Sequence, residues 1–468
     1  MLRYICLSDL HAGATTSLLS HVPEGPDPST PSPTTTTFAT ALGDFLAAAG
    51  TKPGLILLGD VLDLQFSDRA TSFLTALGFL KALKDTGGLS GEVIATAGNH
   101  DHALWTDARL SVEAATLRRS DGTPTYLSAT RAWSSDTEPP ATSPLLTSLL
   151  ERAGFDAPEI RYPNIGFGDR SRAVLLHHGH FVEAPYHLIS TILDRLGTNP
   201  GPLTVERLSA ENAGWIDFFW STFGDAADLG PRSEALYQKL LTSVGFRNLT
   251  ARWAEAASDA LGERLPLSGD REVRAALHAA IRIALDASLG AFRDSERQAV
   301  VDALTTDGRA GLTSYIAGPT ARQITGELDG PPDDLTFVFG HTHKPFSDRV
   351  PVPGLSPVKV YNTGGWPLNG PRLDNAEGAA MVLISDDFRT ASVRLFKTPD
   401  NGIVPVAHLD HLGDGSAGDT AFRAEVQRWL NESAPAWDNL ATVVGDAYRA
   451  RQDLLLGATS RAFGAAAE

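Results

Sequence analysis

The stretch Tyr4-Ile5-Cys6-Leu7-Ser8-Asp9-Leu10-His11 begins as an apolar run and ends on a carboxylate and an imidazole two residues apart. At the end of a strand that spacing sends Asp9 and His11 to the same side, where both can reach one metal ion. Four later stretches repeat the plan of polar side chains directly after an apolar run. They are Gly59-Asp60-Val61-Leu62-Asp63, Gly98-Asn99-His100-Asp101, His177-His178-Gly179-His180 and Gly340-His341-Thr342-His343. The runs before them, residues 55–58, 93–97, 173–176 and 335–339, are short and rich in Ile, Val, Leu and Phe, as buried strands are. Helical patterns over residues 38–49, 70–84 and 144–153 lie between them. Strand alternating with helix predicts an α/β protein with a mostly parallel sheet and ligands gathered beyond the strands' carboxyl ends.

The donor types point to metal chemistry. Asp9 and His11 offer an oxygen and a nitrogen to one ion, and Asp60 can bridge two cations with its two oxygens. Asn99 adds a neutral carbonyl oxygen and His178 another imidazole, while His341 and His343 flank Thr342 on a Gly-led turn that lets them serve different ions. An oxygen-and-nitrogen set without thiolate suits two divalent ions drawn from Mn²⁺, Fe, Zn²⁺ or Co²⁺ and does not choose among them. Two such ions about 3.5–4 Å apart lower the pKa of a bridging water and clamp the attacking and leaving oxygens of a phosphoryl transfer. His100, beside Asn99, is placed to hydrogen-bond a phosphate oxygen or protonate a leaving alkoxide, and Asp63 to orient His100.

In this order the five motifs Asp-x-His, Gly-Asp-x-x-Asp, Gly-Asn-His-Asp, His-Gly-His and Gly-His-x-His resemble the calcineurin-like metallophosphoesterase superfamily, over about residues 1–180 and 333–400. The resemblance implies a four-layer α/β/β/α sandwich with a dinuclear metal centre. It assigns one ion to Asp9, His11, Asp60 and His343, the other to Asp60, Asn99, His178 and His341, and an Asp–His dyad to Asp63 and His100. Attack of a metal-bridging hydroxide on phosphorus is the implied reaction, on a phosphomonoester, phosphodiester or pyrophosphate. The stretches Ser8 to His11, Gly340 to Pro345 and Tyr361 to Trp366 are similar to those of UDP-2,3-diacylglucosamine pyrophosphatases. That group usually carries Arg where His100 stands, and it lacks a helical insert of the size found here.

The implied domain plan is a metallophosphoesterase core in two parts, residues 1–180 and 333–415. A helical insertion or cap at 181–332 interrupts it, and a helical C-terminal tail follows at 416–468. Strand patterns return at residues 358–361, 379–384 and 392–396, with Asp386-Asp387 as a hairpin turn. Residues 23–37, rich in Pro, Thr and Ser, read as a surface loop near the site. In the insert, Trp215, Phe218, Phe219 and Phe223 recur at helical spacing with Trp220 off that face. This is the core of a helical cap or, alternatively, a lid for an apolar group or a membrane surface.

Composition bounds the rest. The 468 residues suffice for two or three structural units, and 42% hydrophobic with 20% charged is an ordinary globular balance. A net charge of −17, with more acidic than basic residues in the insert too, argues against a general nucleic-acid partner. The expected partner is a small phosphorylated substrate. Two other readings remain open: a DNA nuclease of the same superfamily, or a catalytically silent interaction scaffold that would be expected to lack ligands. A single cysteine, Cys6, excludes an intrachain disulfide and reads as an apolar filler of the first strand. The N-terminus runs straight into the first motif and no apolar run nears the ~20 residues that span a bilayer, so a cytoplasmic location is expected.

Of the remaining candidates, His177 reads as a neighbour of the ligand His178, His180 as a phosphate contact or a structural hydrogen bond, and His102 as a helper of the site or a residue just before a helix start. His21, His187, His278, His408 and His411 stand outside any motif and read as structural. Lys344 and Arg372 follow the last motifs as phosphate contacts or surface charges.

Overall fold

The computed structural model describes the chain apart from residues 23–26, 66, 119–122, 124–125, 135–139, 196, 198–200, 225–302, 369–375, 399–403, 413–414 and 465–468. Most of the insert, with His278, therefore lies outside the described residues, as do Arg372 and the side chains of Phe218, Phe219, Trp220 and Phe223.

Two sheets are observed, each mixing parallel and antiparallel strands where the strand–helix alternation predicts mostly parallel pairing. In the first, β1 (Leu2–Leu7), β2 (Gly54–Leu58), β3 (Val93–Thr96) and β4 (Glu159–Ile160) run parallel. β10 (Gly378–Ser385), β11 (Thr390–Lys397) and β12 (His408–Leu409) extend the sheet antiparallel on the other side of β1. The second sheet has the order β5-β6-β7-β9-β8, from β5 (Asn164–Gly168), β6 (Ala173–His177), β7 (Leu335–Phe339), β8 (Phe346–Val350) and β9 (Val358–Asn362). Its three central strands are parallel and its edges antiparallel. Tight connections cause the mixture, because a hairpin such as that at Asp386-Asp387 can only return antiparallel. The sequence reading missed β5, which carries two glycines, and β8, whose middle is Ser-Asp-Arg; both lack a continuous apolar run because each sits at a sheet edge.

Period-two alternation divides the core. Tyr4, Cys6, Ile56, Leu58 and Ile94 of the first sheet meet Ile165, Phe167, Val174, Leu176, Val338 and Tyr361 of the second. Cys6 is fully buried there, as an apolar filler. On the opposite face of the first sheet, Ile5, Leu7, Leu55 and Leu57 share a core with α1 (Pro33–Ala49) and α2 (Arg69–Asp85), which supply Phe38, Leu42, Phe45, Leu80 and Leu83. α3 (Ala103–Leu117) and α4 (Pro144–Ala153) complete this half. α1 begins five residues before its predicted start. Ser32 caps it by accepting a hydrogen bond from Thr35 N–H at 3.1 Å, and Pro33 fits the first helical position, so Thr34, Thr35 and Thr37 are buried. The predicted surface loop is accordingly shorter than residues 23–37.

Inside the predicted insert, α5 (Leu188–Arg195), α6 (Val205–Gly224), α7 (Thr306–Tyr315) and α8 (Ala321–Leu328) are described. Tyr315 of α7 packs on Phe337 of β7 and donates its hydroxyl to Asn164 Oδ1 at 3.0 Å, and Asn164 Nδ2 donates to Gln323 Oε1 of α8 at 2.7 Å. The far end of the insert thus covers the outer face of the second sheet. Trp215 is partly buried, with its indole N–H donated to Pro185 O. Among the described residues no helix is long and apolar enough to cross a membrane.

The C-terminal segment forms α9 (Ala417–Glu432) and α10 (Ala434–Gly464), which pack on α1. Trp437 lies 6.2 Å from Phe45 and 6.4 Å from Phe38, and Trp429 5.7 Å from Phe45, ring centre to ring centre. Arg451, its pKa pushed down to about 10 by burial, donates to Ser17 O at 2.9 Å and Ser20 O at 2.6 Å, tying α10 to the loop after the first motif. Truncating the Trp437 ring leaves a large cavity between α1 and α10. Trp437→Ala is expected to cost about 3–5 kcal/mol of stability, read from urea unfolding; an unchanged midpoint would show that the tail is not part of the core.

Candidate metal centre

Strand register brings the motifs to one rim. Leu7 pairs with Leu57 and Leu58 with Thr96, while His177, Phe339 and Asn362 align in the second sheet. The chain must then turn at once, and five non-glycine residues do so with left-handed backbone: Asp9 (φ 50°), His11 (44°), Asp60 (51°), His341 (68°) and His343 (58°). Each such residue costs on the order of 1–3 kcal/mol and persists only where its surroundings hold it.

The holding contacts are reciprocal. Asp101 accepts hydrogen bonds from the N–H groups of Gly98 (2.7 Å), Asp60 (3.1 Å), Val61 (2.8 Å) and Leu62 (3.3 Å), and Asp60 Oδ1 accepts from His100 N–H at 2.7 Å. Asp9 accepts from His341 N–H at 3.0 and 2.9 Å and from the Ser8 hydroxyl. Asn362 Nδ2 donates to Gly340 O (2.8 Å) and Thr342 Oγ1 (3.1 Å), bracing the Gly-His-Thr-His turn from β9. Gly340 is required by space, since a Cβ there would overlap Asp9 Oδ2 and Ser8 Oγ.

Three groups of side chains result, with ligand atoms all within 4.8 Å of one another in each: Asp9, His11 and His343; His11, Asp60 and His100; Asp60, His178 and His341. His11 and Asp60 link them into one cluster. Asp60 Oδ2 lies 3.5 Å from His11 Nε2 and 3.3 Å from His178 Nε2, and His343 Nε2 lies 3.1 Å from His11 Nε2 and 3.4 Å from Asp9 Oδ1. Asn99 turns its Oδ1 to His178 Nε2 at 3.2 Å, with its backbone carbonyl held by Gln65 Nε2 at 2.7 Å. All of the predicted ligands are brought together and buried. Asp63 and His100 are neighbours too, with Asp63 Oδ1 3.5 Å from His100 Nδ1. Asp63 also reaches His11, its Oδ2 3.2 Å from His11 Nδ1, a second role that spacing did not suggest.

The electrostatics call for positive charge. Burial raises the Asp60 carboxyl, but the charges of His178 and His100 outweigh it and hold it well below the usual range. Asp9 is also lowered, against its burial, by His178 and His343, and Asp63 by His100 and His11. His178 answers in kind: burial alone would lower it, yet Asp60 and Asp9 raise it to about 9. His100 is lowered, first by burial. Asp101 is pushed up to about 6 by burial and by Asp60, against the pull of its amide donors. Carboxylates this buried, converging with imidazole nitrogens and an amide oxygen, form a donor set that fits divalent cations.

Other candidates fall outside the cluster. His177 Nδ1 accepts from Gly179 N–H at 2.7 Å, and the ring packs on Tyr315, so it is a buried neighbour. His102 directly precedes α3 and joins Asp217 Oδ1 (2.6 Å) and the Tyr162 hydroxyl (3.1 Å), and His180 reaches the same hydroxyl at 3.3 Å. His21 bonds Thr30 O and His187 bonds Phe181 O. His408 bonds Val406 O. Lys344 is fully buried, which removes its surface reading. Two site residues escaped the sequence reading. Asp101 closes the Gly-Asn-His-Asp motif and was legible there, whereas Glu183, 3.3 Å from His341 Nε2, carries no motif. No protein-family model matches the chain, and no curated protein is similar to it in sequence.

Two outcomes follow from this geometry. Gly340→Ala is expected to lose about 1–3 kcal/mol of stability together with Mn²⁺ binding, checked by thermal melting and metal stoichiometry. For a cation to bind at His178, the proton that Asp60 and Asp9 hold on its ring would have to leave first. Cation affinity therefore rises with pH toward about 9, where half of that proton is gone, by roughly tenfold per pH unit for each proton released. Calorimetric titration with Mn²⁺ across about pH 6.5 to 8.5 checks this, and a flat profile contradicts it.

Proposed function

We propose that this chain is a metal-dependent phosphoesterase of the calcineurin-like metallophosphoesterase kind. Its substrate is a phosphomonoester, phosphodiester or pyrophosphate. One observation carries the reading: Asp60 Oδ2 faces both His11 Nε2 and His178 Nε2, so a single carboxylate serves two adjoining ligand groups. Paired sheets with helices against their outer faces support the four-layer α/β/β/α fold.

On this reading Asp9, His11, Asp60 and His343 hold one ion, and Asp60, Asn99, His178 and His341 hold the other. Bound there, two divalent cations supply charge neutralisation for phosphate and activation of water at neutral pH. The chain's own groups do the rest. Asp63, close to both His100 and His11, keeps the Nδ1 proton on each ring and turns the opposite nitrogen inward. Burial lowers His100; an anionic phosphate beside the ring would raise it again, so that the ring takes a second proton from solvent as the substrate enters. The imidazolium then steadies the charge on phosphorus-bound oxygen and passes a proton to the leaving alkoxide. These side chains are all buried.

The test is hydrolysis of p-nitrophenyl phosphate, bis-p-nitrophenyl phosphate, nucleotide sugars and single-stranded DNA with added Mn²⁺. Asp60→Asn and His341→Ala are each expected to lower the active reaction by at least about a hundredfold. Unchanged hydrolysis in both variants overturns the mechanism. Cleavage of DNA alone would make the protein a nuclease, and no hydrolysis with any metal would favour an interaction scaffold.

A further inference from the structure

Two of the site's imidazoles are held in the same way. His178 points Nε2 at Asp60 and Asn99 and sets Nδ1 against Leu58 O at 2.9 Å. His11 points Nε2 at His343 and Asp60 and sets Nδ1 against Asp63. In both rings the inward nitrogen meets the ligand groups and the outward one meets an oxygen that holds its proton. An imidazole can ligate only through the nitrogen that lacks the proton, so such an oxygen fixes both tautomer and ring direction.

His341 completes the pattern from the opposite side. Its Nε2 faces Glu183 Oε1 at 3.3 Å, and the Glu183 side chain is only 10% exposed. Glu183 stands five residues past His178, where its own N–H is donated to His180 O at 3.0 Å. The neighbouring chain is pressed against the His341 turn, because a Cβ on Gly179 would come within 2.7 Å of His341 Cβ. Tyr186 and His178 close on the His341 ring at 5.4 and 5.3 Å between ring centres, both edge-on. The ring therefore has little freedom to turn, and the carboxylate sits at one fixed nitrogen.

We infer that Glu183 is the positioning residue for His341, keeping the proton on Nε2 so that Nδ1 is presented to the cation shared with Asp60, Asn99 and His178. The inference rests on the metal reading proposed above. It makes the first turn of the helical segment part of the metal centre.

Mn²⁺ titration of the full chain, by calorimetry and electron paramagnetic resonance, tests it. Glu183→Ala is expected to weaken the ion held with His341 by about 10- to 100-fold and leave the ion held by Asp9, His11 and His343 unchanged. Glu183→Gln keeps an acceptor at the same reach and is expected to restore most of that loss. In a His341→Ala background, Glu183→Ala is expected to add nothing further. Wild-type affinity for both ions in Glu183→Ala overturns the inference. So does equal loss of both ions in the Ala and Gln variants with a lowered melting temperature, which marks a structural role only. A wild-type chain that binds no Mn²⁺ overturns the metal reading itself, an outcome distinct from both.

Discussion

A carboxylate removed from water has to be met by hydrogen-bond donors or by positive charge, and Asp60 is where this protein concentrates that demand. One of its oxygens takes the His100 N–H, and the other faces two imidazoles. The exchange runs in both directions, since Asp101 on the neighbouring loop takes the N–H groups of Asp60, Val61 and Leu62. Two loops from adjacent parallel strands are thus locked by each other's backbone amides. Every ligand group in the centre shares a residue with another, so the relative placement of these loops governs the whole cluster.

The centre also gathers most of the left-handed non-glycine residues among those described, with Asp329 and Phe388 lying elsewhere. Left-handed backbone at Asp9, His11, Asp60, His341 and His343 is unfavourable for residues with a Cβ, and it occurs where strands end and side chains must turn across the rim. Two cores offset this cost, one between the sheets and one under the helices, in which Ile5, Leu7, Ile56 and Leu57 are fully buried. Rigid strands deliver the loops, and the loops accept the strain in return for convergence.

Elements outside the five motifs support the rim from behind. Arg451 of α10 holds the carbonyls of Ser17 and Ser20, just beyond the first motif. Asn362 of β9 braces the last motif through Gly340 O. Tyr315 and Gln323, from the far end of the helical segment, fasten Asn164 at the start of β5. None of these contacts joins residues close in sequence.

The sequence alone determined the strand cores, the helices between them and the donor set. Apolar runs ending in Asp, Asn and His are local patterns, and local patterns follow from backbone periodicity. Asp9, His11, Asp60, Asn99, His178, His341 and His343 were legible for that reason, and Asp63 with His100 by their nearness to them. Tertiary structure alone decided that both sheets mix parallel and antiparallel strands, that the C-terminal helices cover α1, and that Asp63 serves His11 as well as His100. It also set Glu183 beside His341 and Asp101 beneath three amides of another loop. Those facts depend on which distant groups a buried carboxylate meets once the sheets close, and no spacing along the chain records that distance.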